Sequence, residues 1–378
     1  MGTGLGPITA PDAEAPPVGD LPFPVEIFVG GRRIEKKLYS GRSPCCSSID
    51  QVIFEVPADA PSGCYVPVLL RVGSRAGNVV TMAIHPEGRP CSDPDNPFLP
   101  AFLRGGRLGA VLLFRYALHL DTSVFRPSRF AFETAQAYFR QEAGGELAFN
   151  PYFSLPPAGA CTAYASSGNL LRGVRFPFAN PTPGLDAGTL SVSGSAGARP
   201  LATTTFGAGT YYNPTLVGAA ATIPSAPESP VFYVPGTLQV RGGGGRAVGP
   251  VQASLPIEAP IEWTNRDRLT SIDRSQGVRF DWTPNSRGRV VVAGVGVDIP
   301  TNASAMFLCV APAGASSFQV PAEMLANIPP GRPLRQHSVG MLILGSLPAG
   351  LPSPFTASGL DFGAVLYRSL VMKTVRFQ

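Results

Sequence analysis

The chain has 378 residues, 44% hydrophobic and only 15% charged, which excludes a disordered chain, since disorder needs few apolar residues and much charge. Its 43 Gly and 41 Pro exclude a helical protein, because both are costly inside helices, and fit short strands joined by many turns. The net charge of +5 is carried by Arg scattered singly (Arg104, Arg107, Arg115, Arg126, Arg129), with Lys only at Lys36, Lys37 and Lys373, so no clustered basic surface marks a nucleic-acid partner.

Alternation predicts strands through the first segment. Pro24 to Val29 alternates and ends at Gly30-Gly31, a hairpin signal. Gln51 to Val56 alternates again and stops at Pro57, Tyr65 to Val72 follows a Pro61-Ser62-Gly63 turn, and Val79 to Ile84 closes the set. Short strands with a turn every ten or so residues fit an Ig-like sandwich.

These residues also carry a resemblance. GTGLGP (Gly2 to Pro7), VEIFVGG, LYSGRSPCC and DQVIFEVPADAPSGCYVPVLLRVG occur in that order, followed by a strand ending near Ile84. Over residues 1–92 they resemble the uncharacterised Ig-like C-terminal domain of many secreted acidobacterial proteins, the Solibacter-type domain, in its variant with a CC pair, a GC and a CSD. PIEWTNRDRLTSIDRSQGVRFDW and PFTASGLDFGAVLY resemble the region that follows this domain in the same subgroup. The resemblance implies an exported protein and brings no activity with it. In the family an apolar strand precedes GTGLGP. Met1 stands where that strand would end, so the expectation is a first strand and a signal peptide missing from this chain.

Ser92 to Pro97 is dense in turn formers and marks a linker over 93–104. A calcium loop would use Asp93, Asp95 and Asn96, but two prolines fix the backbone there and no Glu follows at the ion-loop spacing. A middle β-rich domain over 105–255 opens on the buried strand Leu108 to Phe114. RFAFETAQAYFRQ (Arg129 to Gln141) fits a helical face through Phe132, Ala135 and Phe139 and also fits alternation; a strand is expected, because nothing caps a helix. Gly188 to Val192 is a short strand among long loops, and Gly236 to Val240 forms a hairpin with Ala247 to Leu255 around the glycine run from Gly242 to Gly245.

A C-terminal β-sandwich domain over 256–378 shows strands at Gly277 to Trp282, Gly288 to Gly294 and Val371 to Phe377, with Trp282 in its core. Pro321 to Asn327 can form one or two helical turns. The fold expected is therefore all-β, an Ig-like β-sandwich followed by one or two further β-sandwich domains. No apolar run approaches the roughly 18 residues of a membrane-spanning helix.

The six cysteines are Cys45, Cys46, Cys64, Cys91, Cys161 and Cys309; none forms a CxxC pair, and His85, His119 and His337 stand far apart. No metal site and no cofactor is expected. An even count in a strand-rich chain reads as disulfides and an oxidising compartment, with reduced, buried thiols as the alternative. Adjacent Cys45 and Cys46 point to opposite faces of an extended chain, so each is expected to find a separate partner. The expected pattern is two bridges among Cys45, Cys46, Cys64 and Cys91 and a third from Cys161 to Cys309, with other connectivities open.

Several motifs imitate catalytic ones. Asp361-Phe362-Gly363 lacks the lysine and HRD context of a kinase, and Gly294 and Gly296 lack a following helix. His119-Leu120-Asp121 places a His and an Asp on one strand face, and Glu258 with Glu262 or Asp267 with Asp273 are the available carboxylate pairs. Tyr211 and Tyr212 beside Asn213 offer a sugar-stacking platform. The function expected is that of a non-enzymatic exported structural, adhesive or binding protein of the bacterial surface or extracellular matrix, with surface or matrix proteins or polysaccharide as partners. A carbohydrate-binding accessory protein is the first alternative, and a hydrolase whose residues converge only in three dimensions is the second.

Overall fold

The computed structural model describes residues 21, 23–44, 49–73, 75–77, 79–92, 101, 103–120, 128–144, 155–166, 183–221, 231–283, 288–298, 300–331, 338–347 and 352–378. The protein is all-β. The first segment forms β1 (Val25–Val29), β2 (Arg32–Arg33), β3 (Lys37–Arg42), β4 (Asp50–Phe54), β5 (Gly63–Val72), β6 (Arg75–Ala76) and β7 (Val80–Ile84). Two long strands, β8 (Gly106–Leu120) and β9 (Ser128–Glu142), precede β10 (Cys161–Ser166), β11 (Leu190–Gly194), β12 (Gly197–Pro200), β13 (Thr203–Phe206) and β14 (Gly209–Ala221). Next come β15 (Gly236–Gly242), β16 (Val251–Ile257), β17 (Glu262–Trp263), β18 (Ser271–Ile272), β19 (Val278–Thr283), β20 (Arg289–Asp298), β21 (Ala303–Val310) and β22 (Ser317–Val320). A one-turn helix, α1 (Ala322–Leu325), precedes β23 (Ser338–Leu347), β24 (Ser353–Phe355) and β25 (Phe362–Phe377).

In the first segment Gly30 and Gly31 take φ of +60° and +86°, the two left-handed residues that a tight hairpin between β1 and β2 requires. The strands order as β2-β1-β5-β6, with β7 also on β5, and β3 pairs with β4 in a second layer. Alternation gives the first sheet two apolar faces. Ile27, Val29 and Val66 pack with Val52 and Phe54 of the second layer. Phe28 and Leu69, on the opposite face, join a core built by β19, β20 and β21, so the first segment is docked on the rest of the chain.

One sheet of 11 strands dominates, in the order β10-β21-β20-β23-β25-β8-β9-β14-β13, with β18 and β24 also paired to β25. At its centre β25 runs parallel to β8, from Phe362 opposite Leu108 to Lys373 opposite His119. Alternate residues of β25 carry two further layers on the same face of this sheet. Val365 and Tyr367 pack under the β12-β11-β15-β16 sheet, against Leu190, Leu238 and Leu255. Val375 and Phe377 pack under the β17-β19-β22 sheet, against Trp263, Phe280 and Trp282. Trp282, expected in the core, is buried there.

Ser128–Glu142 is a strand along its whole length, as alternation predicts. Strands from 105–255 and from 256–378 share the one large sheet, where β21-β20-β23-β25 lie between β10 on one side and β8-β9-β14-β13 on the other. The expected division at 255/256 therefore does not separate two sheets; pairing of β8 with β25 merges them, and the covering layers are what divide there. Most of the expected linker, with Asp93, Asp95 and Asn96, lies outside the described residues.

Candidate functional site

Cys161 and Cys309 are directly opposed on β10 and β21 and form a disulfide, with Cα atoms 4.0 Å apart. Val310 N–H donates to the carbonyl of Ala160, which makes the cysteines a non-hydrogen-bonded pair, the closer of the two antiparallel spacings. Cys64 bonds to Cys91. That link corrects the expectation that Cys45 and Cys46 take Cys64 and Cys91 as partners: both are already committed to each other. Cys45 and Cys46 themselves lie outside the described residues.

His119 is placed by register between Arg129 on β9 and Lys373 on β25. Its expected partner Asp121 lies outside the described residues. Arg266, from the turn after β17, comes within 3.2 Å of His119 Nε2 through Nη1. Since a guanidinium can only donate, Nε2 accepts. Asp267 holds the same guanidinium through both carboxylate oxygens, at 2.9 and 3.1 Å, and Lys373 Nζ donates to the Arg266 carbonyl at 2.9 Å. Burial, then Arg266 and Arg129, lower the His119 pKa to about 4. An imidazole this weakly basic, with Nε2 engaged by a cation, is a poor general base.

A second polar group lies on the same face, where Glu133 on β9 stands opposite Arg115 on β8. Glu133 Oε2 accepts the N–H groups of Phe232 and Tyr233, at 2.6 and 3.1 Å. Tyr233 Oη donates to the Thr134 carbonyl at 3.0 Å, and its ring meets Tyr367 edge-on at 5.5 Å. Burial pushes the Tyr367 phenol up to about 12 and Tyr233 well above its ordinary value. These bonds clamp the segment before β15 across the sheet.

The remaining catalytic look-alikes have local tasks. Glu258 and Glu262 are exposed. Asp267 is bound by Arg266, and Asp273 accepts from the backbone N–H and hydroxyl of Ser275; these contacts hold both carboxyls below the usual range. Asp361 accepts the Arg107 N–H at 2.7 Å. Gly294 makes room for Phe307, whose ring would lie 2.4 Å from any Cβ there. Among the described residues no three His, Cys, Asp or Glu side chains gather as metal ligands, and no helix is long and apolar enough to cross a membrane.

The expected tyrosine platform takes a different form. Pairing of β13 with β14 sets Thr203 against Tyr212, Thr204 against Tyr211 and Phe206 against Gly209, so the two tyrosines point to opposite faces. Tyr212 turns inward and is 3% exposed. Its ring meets Phe139 edge-on at 5.4 Å, and its hydroxyl accepts from Ala187 N–H and donates to the Gly188 carbonyl, at 2.9 and 2.8 Å. Tyr212 is thus a core residue and no part of a stacking surface.

Tyr211 shares the other face with Thr204 and Phe206, and Phe206 is 80% exposed. A Cβ on Gly209 would fall 2.9 Å from Tyr211 Oη and 3.0 Å from Cε2, so the Tyr211 ring lies across the glycine paired with Phe206. The buried Arg140 guanidinium sits 6.0 Å from the Tyr211 ring centre and 4.9 Å from that of Tyr138. Asn213 Nδ2 donates to Thr204 Oγ1 at 2.6 Å. β13 is the outer strand of the large sheet, and all four of its residues are exposed.

No protein-family model matches this chain, and no curated protein matches it. Phe206, absent from the sequence expectation, was readable from the hairpin: with Gly207 and Ala208 as the turn, two-residue closure pairs Phe206 with Gly209 and brings it to the Tyr211 face. Arg266 and Lys373 had no such signal, since their approach to His119 depends on long-range pairing.

Proposed function

We propose that the chain is an exported, non-enzymatic binding or adhesive component of the bacterial surface or extracellular matrix, with an Ig-like sandwich over its first segment and sandwich-like layers beyond. The observation that carries this reading is the outer β13–β14 hairpin, where Phe206 stands 80% exposed on a four-residue strand with no buried position. Leu216 of β14, 62% exposed, adds a second large apolar side chain to this hairpin, and exposed apolar side chains gathered into a patch mark interaction surfaces. Two disulfides, Cys161–Cys309 between neighbouring strands and Cys64–Cys91 from β5 to the chain beyond β7, support assembly in an oxidising compartment. The depressed basicity of His119 weighs against the hydrolase alternative.

The test is saturable retention of the purified, oxidised chain on two immobilised fractions of bacterial envelope and matrix material, one polysaccharide and one protein. Retention on either supports the reading. Absence of retention on both, or hydrolysis of envelope polymers that disappears in His119→Gln, would overturn it.

A further inference from the structure

The β13–β14 edge brings aromatic rings and neutral hydrogen-bonding groups onto one face of an outer strand pair. Phe206 and Tyr211 supply two aromatic rings on one face, diagonal to one another across the hairpin. Thr204 and Asn213 lie beside them as hydroxyl and amide, already bonded to each other at 2.6 Å, with hydrogen-bonding capacity left on both. The Tyr211 ring rests on Gly209 and is backed by Arg140, so little freedom is lost when something settles on it. No charged residue occurs between Arg199 and Glu228, and the nearby Arg140 is 3% exposed.

Those features select a ligand. A surface without formal charge offers nothing to a polyanion, nucleic acid or acidic peptide. An added strand would gain only the few backbone bonds that four residues allow. A pyranose has one apolar C–H face, which suits the negative face of an aromatic ring, and a rim of hydroxyls, which suits Thr and Asn. Resting on the binding reading above, we propose that Phe206, Tyr211, Thr204 and Asn213 form a binding site for a neutral saccharide, with Phe206 and Tyr211 as the stacking rings.

The full-length oxidised chain is titrated with cellohexaose, laminarihexaose, xylohexaose and mannohexaose by calorimetry. At least one is expected to bind. Phe206→Ala and Tyr211→Ala weaken that binding about tenfold or more, and Tyr211→Phe weakens it less than about threefold, because the ring is kept. Phe206→Ala leaves the thermal transition in place, and Phe23→Ala, at another exposed ring on the first segment, leaves binding unchanged. Binding that survives Phe206→Ala overturns the site. Failure of all four oligosaccharides, while the chain is still retained on envelope proteins, overturns the saccharide and leaves the binding reading standing. Dimerisation in sedimentation that Phe206→Ala abolishes, with no sugar bound, overturns it in favour of a second copy of the chain.

Discussion

Cys161 faces Cys309 across two neighbouring strands, and the same cysteine touches the first segment: its N–H donates to the Gly30 carbonyl at 3.0 Å. One disulfide therefore sits where the edge of the large sheet meets the docked first segment. It closes a loop between residues 148 apart in sequence, against 27 for Cys64–Cys91. Longer closure constrains the unfolded chain more. The double change Cys161→Ala with Cys309→Ala is expected to lower stability by about 2–5 kcal/mol, and the corresponding change at Cys64 and Cys91 by less. Urea titration of the three proteins checks the order. Equal midpoints for the wild type and the Cys161/Cys309 variant would refute it.

Gly31 has φ +86°, and a Cβ there would lie 2.7 Å from the Cys161 Cβ. Gly31→Ala combines a left-handed backbone with a clash at the docking surface, and about 1–3 kcal/mol of stability should be lost. Faster proteolysis within 21–92 than in the wild type is the accompanying sign. An unchanged cleavage rate would show that this contact does not hold the first segment in place.

Glu133 serves Phe232 and Tyr233 with one oxygen. In Glu133→Ala two buried N–H groups lose their acceptor, each such loss costing about 1–3 kcal/mol. Glu133→Gln keeps an acceptor but sets an amide near Arg115, whose Nε is 3.8 Å from Oε1, so its loss is the smaller. Chemical denaturation ranks the three proteins, and a glutamine variant less stable than the alanine one would contradict the capping role.

The pH profile should carry the mark of His119. Its folded pKa, about 4, lies below the unfolded value of 6.5, so between those values the unfolded chain binds more protons. This contribution is full above pH 6.5, falls as pH drops from 6.5 toward 4, and is gone below that. Arg266, Arg129 and Lys373 oppose protonation and Asp267 favours it. Allowing for solvent screening of a partly exposed ring, the loss is about 1–2 kcal/mol. His119→Gln should flatten the profile in that window, and an imidazole resonance titrating near its ordinary value would contradict the burial described.

The legible parts of the fold were those written in short periods. Val25–Val29 and Val278–Thr283 alternate, and both are strands. Gly30 and Gly31 signal a turn, and both take positive φ. Alternation also sufficed for Ser128–Glu142 against a helical reading. At the candidate site Tyr211 and Asn213 were legible as an aromatic beside an amide, whereas the inward turn of Tyr212 followed from a pairing that places it over Phe139.

Composition, the two-residue period and the turn chemistry by themselves determined an all-β chain, because each acts within a few residues of backbone. Tertiary structure alone decided that β8 lies beside β25, that two covering layers share one face, and that Cys64 meets Cys91. Strand backbones present the same hydrogen-bonding groups at every residue, so partners far apart in sequence are chosen by which apolar faces can be buried together. The same choice turned Tyr212 into the core and left Phe206 on the outside.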